Sequence, residues 1–146
     1  MDTRYIASGV ADYLKSRYGA KVKTRKQNRM SVVYADELEV VLHSEEGTDL
    51  DLGFRLRKEP EEGRMHLREI TDPAFWLKFN AFFIRREDES CFDRLSIDRG
   101  GGDSRVHYVR LKAKRHNEKR IKVMSSVINY VVEPIFSYFF QPKATK

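Results

Sequence analysis

Cysteine is almost missing from this chain: Cys91 is the single one in 146 residues. One thiol excludes an intramolecular disulfide and a cysteine-built zinc site, and leaves Cys91 to be read as a small core residue. Proline (four) and glycine (eight) are also scarce. No linker rich in them, no low-complexity tract and no internal repeat divides the chain. The four histidines, His43, His66, His107 and His116, lack the spacing of a zinc site. A long apolar run is missing too. The most apolar stretch, Ile121 to Phe140, is broken by Lys122, Ser125, Ser126, Asn129, Glu133, Pro134 and Ser137, short of the ~18 unbroken residues of a membrane span. No membrane partner is expected. The polar start, Met1 to Tyr5, shows no secretory leader, so a cytoplasmic setting is the default expectation.

What the chain does contain is aromatic and charged. Nine Phe, seven Tyr and one Trp are too many for a disordered segment. A chain of this length buries roughly 70% of its unfolded surface, enough for a core without metal or disulfide. The expectation is a single α+β domain over 1–146. It has an antiparallel sheet of about five to seven strands, packed by an N-terminal helix and a long C-terminal helix.

Charge is segregated. The net +6 hides two basic ends and an acidic middle. Residues 1–30 carry eight Lys/Arg against two carboxylates, residues 31–63 three against ten, and residues 105–122 eight against one. Such a pattern predicts a bipolar surface, or two basic segments brought together by folding.

Thr3 is positioned to cap a first helix whose apolar residues Ile6, Val10, Tyr13 and Leu14 recur on one face, with Gly19 ending it. Strands are expected at Met30 to Tyr34, at Leu38 to Leu42, and at Asp49 to Arg57. In the last, Leu50, Leu52, Phe54 and Leu56 alternate with polar residues. Met65 to Ile70 would add another. Asp72-Pro73 opens a short helix through Phe79. Periodicity does not decide whether Phe82-Phe83-Ile84 continues this helix or starts a strand; the strand is preferred, turned by Glu87 to Ser90 into a second strand with Leu95 and Ile97. Gly100 to Asp103 would turn into a strand from Val106. A long helix from about Glu118 to Phe140 closes the chain, with Pro134 kinking it or ending it early.

Three constellations could carry chemistry. The first is basic. Arg110, Lys112, Lys114 and Arg115 stand with Tyr108 in one segment. Lys21, Lys23 and Arg25 alternate in another. Cations neutralise phosphates and aromatic rings stack on unpaired bases, so two adjoining basic strands would bind RNA or single-stranded DNA. Edge strands guarded by lysine are the plainer alternative. A salt-sensitive homodimer, acidic middle against basic ends, is a third.

The second is acidic. Asp49 and Asp51, two residues apart on a strand, are placed to share a magnesium ion. The run Gly47-Thr48-Asp49-Leu50-Asp51-Leu52 resembles the metal-binding strand of the nucleotidyltransferase superfamily, although His43-Ser44 stands where that family has Gly-Ser. The resemblance implies magnesium; no other cofactor is expected. The plainer reading is the wet face of an amphipathic strand.

The third is His107 with Arg105. An imidazole able to pass protons and an arginine to steady a phosphorane are the minimum of a metal-independent ribonuclease. The Gly100-Gly101-Gly102 turn between acidic and His-bearing strands is loosely similar to small toxin-like proteins. Simple nucleic-acid binding is the leading expectation, and the two enzymes are its alternatives.

Overall fold

A computed structural model describes residues 2–35, 38–44, 49–56, 73–99, 106–114 and 118–139. The chain begins with helix α1 (Thr3–Tyr18). Four strands follow: β1 (Val22–Lys26), β2 (Met30–Ala35), β3 (Leu38–His43) and β4 (Asp49–Leu56). Helix α2 (Pro73–Arg86) and a single 3₁₀ turn (Glu87–Glu89) lead into β5 (Phe92–Arg99) and β6 (Val106–Ala113). The last helical stretch is α3 (Arg120–Val127), a π-helical segment (Ile128–Val132) and α4 (Glu133–Phe139). This is the expected α+β arrangement. The expected strand at Met65 to Ile70 and the turn at Gly100 to Asp103 lie outside the described residues.

The six strands form one antiparallel sheet in the order β1-β2-β3-β4-β6-β5. Alternation sets the register. Leu38, Val40, Leu42, Leu50, Leu52, Phe54, Val109 and Leu111 are all fully buried on one face, and each buried leucine or phenylalanine contributes roughly 1.5–3 kcal/mol. Helices α1, α2 and α4 pack on that face. Phe54 meets Trp76 of α2 at 6.4 Å and Phe136 of α4 at 6.3 Å between ring centres, while Ile6, Val10 and Leu14 of α1 join the same cluster.

Local chemistry explains the ends of α1. Asp2, not Thr3, is the N-cap: its carboxylate accepts the Arg4 amide at 3.0 Å. Both residues are good caps, but Thr3 is fully buried and its hydroxyl serves the sheet. It lies 3.0 and 3.1 Å from the carbonyl oxygens of Gln27 and Asn28 and 2.8 Å from Ser31 Oγ. At the other end Gly19 takes φ 63°, ψ 26°, the left-handed turn that side chains resist.

A second expectation needs correction. Phe82, Phe83 and Ile84 continue α2 instead of forming a strand. Trp76, Phe79 and Phe83 point to the core at helical spacing, whereas Leu77 and Ile84 stay 71% and 56% exposed. The C-terminal helix, expected to be interrupted at Pro134, is interrupted by a π segment just before it. Its buried residues Val123, Val127, Val131 and Ile135 recur every four positions. An α-helix turns about 100° per residue, so that spacing would drift about 120° around a straight rod. The π segment takes up most of the drift. The Glu133 amide bonds to the Ile128 carbonyl, five residues back, and the widened turn makes room for Pro134, whose ring would otherwise collide with the preceding turn.

Candidate functional site

The strand order separates the two basic strands. β1 is an edge, whereas β6 lies inside the sheet between β4 and β5. Both run in the same direction, but β2, β3 and β4 stand between them, about 19 Å at ordinary strand spacing. They do not adjoin to make a groove, which corrects the sequence expectation. β6 is not a lysine-guarded edge either.

Within β6 the basic residues take different surroundings. Arg110 is opposite Asp51 on β4 and clasps it, Nε to Oδ1 at 2.7 Å and Nη2 to Oδ2 at 3.3 Å. A proposed phosphate ligand and a proposed magnesium ligand are therefore each other's partner. Lys112 is exposed, in register with Asp49 and Arg94; the Asp49 side chain lies outside the described ones. Lys114, just past the strand, donates to the Asp88 carbonyl at 3.4 Å. Among the described residues no group of three or more His, Cys, Asp or Glu is arranged to hold a metal ion. His107 pairs in register with fully buried Phe54 and with Arg99. Tyr108 sits one residue on, opposite Gly53 and Asp98. The side chains of His107 and Tyr108, and Arg105 and Arg115 entirely, lie outside the described residues.

β1 is different. Four of its five residues are exposed, because an edge strand has a neighbour on one side only. Lys23 is opposite Tyr34 and Arg25 opposite Val32, which places both cations on the sheet face turned away from the helices. Val32 is buried yet lies outside the core cluster, as expected of a residue on that second face. Lys26, of the other parity, donates to Ser8 of α1 at 3.1 Å. From residue 13 to residue 35 the chain has seven Lys/Arg and no carboxylate. Lys23 and Arg25 make no ion pair with any described residue.

The two basic segments do touch, but through helices. The Arg120 guanidinium lies 4.9 Å from the centre of the Tyr5 ring. It acts on Asp2 from a distance while Arg4 bonds it directly at 3.2 Å. The Arg4 guanidinium holds the Asp2 carboxyl below the usual carboxylate range, and the Arg120 charge adds to the effect.

A cavity of about 470 Å³ opens where the 3₁₀ turn, the end of β6 and α3 meet. Lys122, Ser125, Ser126 and Asn129 line its helical side together with Glu118, Ile121 and Tyr130, and Glu89, Cys91 and Lys114 line the other. Sequence reading missed it, because its walls come from three distant segments. One signal was present: Lys122, Ser125, Ser126 and Asn129 recur at i, i+3, i+4 and i+7 inside an apolar helix. Burial pushes the Cys91 thiol up from its ordinary pKa, partly offset by its bond to Ser126.

No helix among the described residues is long and apolar enough to cross a membrane. Neither the sequence nor the fold of this chain matches a family model, a curated protein or a solved structure.

Proposed function

We propose that the protein binds single-stranded nucleic acid along the β1 edge, chiefly through the phosphates. The observation that carries this reading is the carboxylate-free run of seven cations between residues 13 and 35, with Lys23 and Arg25 exposed on the helix-free face of β1. A positive edge that tracks a backbone needs no base-specific motif. Tyr34, at the register position beside Lys23, offers an aromatic face within the same strip, and stacking on such a ring tolerates any base. The same lysines work against a second copy adding to the edge, since like charges oppose strand pairing.

The Arg110–Asp51 pair moves the interface away from β6. An arginine whose carboxylate partner is already in place gains less from a phosphate than one without, because it exchanges one anion for another. Lys23 and Arg25 thus remain as the principal contacts, with Arg17 and Arg29 at the two ends of the strip.

The test is fluorescence anisotropy with labelled single-stranded RNA and DNA over a range of salt. Four phosphate contacts on a single strand give a log–log salt slope of about −3. Replacing both Lys23 and Arg25 by Ala should flatten the slope by about 1.4, while replacing Lys112 should change it by half as much or less. Failure of RNA, single-stranded DNA and heparin to bind at about 50 mM salt, where phosphate contacts count most, would sink the reading.

A further inference from the structure

A helix packed on a sheet normally turns its apolar stripe to the core and polar residues to water. Helix α2 is apolar on both sides. Trp76, Phe79 and Phe83 are buried, while Ala74, Leu77, Ala81 and Ile84 are all exposed on the side roughly opposite. Leu77 and Ile84 are the two most exposed large apolar residues among the described ones. Single apolar residues on a surface are ordinary, but a line of them marks a contact site. These four are spaced three, four and three residues apart, the spacing of a coiled-coil seam. Large and small residues alternate along it, so Ala74 and Ala81 leave notches between Leu77 and Ile84 that a partner's large side chain can fill.

Charge beside the seam selects the occupant. Helix α2 carries Lys78, Arg85 and Arg86 and no carboxylate. The Arg86 guanidinium lies over the Phe82 ring, 4.1 Å from its centre. Lys78 and Arg85 are exposed, stand two turns apart along one flank of the seam, and make no ion pair with any described residue. Flanking charges of this kind decide which helix pairs with which. A second copy of α2 laid antiparallel would set Lys78 and Arg85 against their own counterparts. A parallel copy would offer them Pro73 and Asn80, neither an anion. A helix lying on an anionic membrane usually carries cations along its whole polar face, whereas the other flank here holds Asn80. A helix with carboxylates beside its own apolar residues meets both requirements.

We propose that α2 docks an acidic amphipathic helix of a partner protein along Ala74, Leu77, Ala81 and Ile84. The partner's large apolar residues fill the notches at the two alanines, and its carboxylates lie along Lys78 and Arg85. Helix α2 covers the sheet face opposite to the one that carries Lys23 and Arg25. The site is therefore separate from the β1 edge and does not depend on nucleic-acid binding.

The probe is a labelled peptide of about three heptads with Leu at the seam positions and Glu beside them; its control has Lys in place of each Glu. Fluorescence anisotropy with the full chain should show the acidic peptide binding at least about tenfold more tightly than the control. Leu77→Gln with Ile84→Gln, both at exposed positions, should weaken that binding about tenfold or more, with the circular dichroism unchanged. Lys78→Glu with Arg85→Glu should reverse the preference between the peptides. Lys23→Ala with Arg25→Ala should alter neither result. The proposal is overturned if neither peptide binds at about 1 mM, a very weak affinity, if both bind equally, or if the Leu77 and Ile84 changes leave binding intact. Sedimentation of the protein alone and flotation with phosphatidylserine vesicles complete the test. Self-association or vesicle binding that those two changes abolish would give the seam to a second copy or to a membrane, and would also overturn it.

Discussion

Arg110 and Asp51 face each other across the β4–β6 ladder and are joined by two hydrogen bonds, the shorter 2.7 Å. The arginine side chain is 62% exposed and the aspartate 20%, so water screens the pair and its contribution to stability is about 0.2–1 kcal/mol. Asp51→Asn should therefore cost less than about 1 kcal/mol in urea unfolding. Releasing Arg110 from its carboxylate should leave the salt dependence of nucleic-acid binding at the β1 edge unchanged, because three strands separate the two. A loss of binding on Asp51→Asn would mean that the aspartate itself serves the ligand, as the magnesium reading requires.

Gly9 of α1 packs directly against Met124 of α3. A Cβ there would fall on Met124 Sδ and 2.6 Å from its Cγ. Alanine in a helix gains about 1 kcal/mol over glycine, but overpacking costs about 1–3 kcal/mol. Gly9→Ala should thus destabilise the protein by about 1 kcal/mol on its own. In a Met124→Ala background the same change should stabilise it, a reversal of sign that a double-mutant cycle measures directly.

Tyr13 donates its phenol hydrogen to Glu133, and the Tyr18 hydroxyl lies 3.4 Å from the same carboxylate oxygen. Burial first, and then the bond to Glu133, raise the Tyr13 pKa; burial and the Glu133 charge raise that of Tyr18. The folded state keeps these protons longer than the unfolded chain, whose tyrosines titrate near pH ~10. The stability they contribute is complete below that pH and falls as the pH rises above it. Ultraviolet titration should show tyrosines that ionise only as the fold is lost. In Tyr13→Phe the alkaline fall in stability should be shallower.

Thr3 and Ser31, both fully buried, tie the first turn of α1 to the β1–β2 connection. Thr3→Val keeps the shape and removes a fully buried hydroxyl, breaking its contacts with the Gln27 and Asn28 carbonyls and with Ser31 Oγ. The expected cost is about 1–3 kcal/mol in denaturant unfolding. Thr3→Ser should recover most of it.

Much of the fold is legible in local patterns. Leu50, Leu52 and Phe54 alternate in the chain and share one buried face in the sheet. Gly19 closes α1 as its freedom to adopt positive φ suggests. Where the reading fails, two signals compete. Phe82, Phe83 and Ile84 are consecutive and apolar, and α2 leaves Leu77 and Ile84 in water, so the helical stripe is blurred. Strand order is not local at all. No pattern within Lys21 to Arg29 or Arg105 to Lys122 reveals that three strands will come between them, nor that Arg110 will meet Asp51. The cavity is legible only in part: Lys122, Ser125, Ser126 and Asn129 break an apolar run, but a helical wheel does not show the segments facing them.

The π segment at Ile128–Val132 is one residue more than an ordinary helix would use. Removing Asn129 would let the backbone close into regular hydrogen bonding and turn everything downstream by about 100°, swinging Ile135 and Phe136 away from Phe54. A chain shortened in this way should show greater ellipticity per residue and a lower melting temperature. Helical content and thermal resistance, which ordinarily rise together, would here move apart.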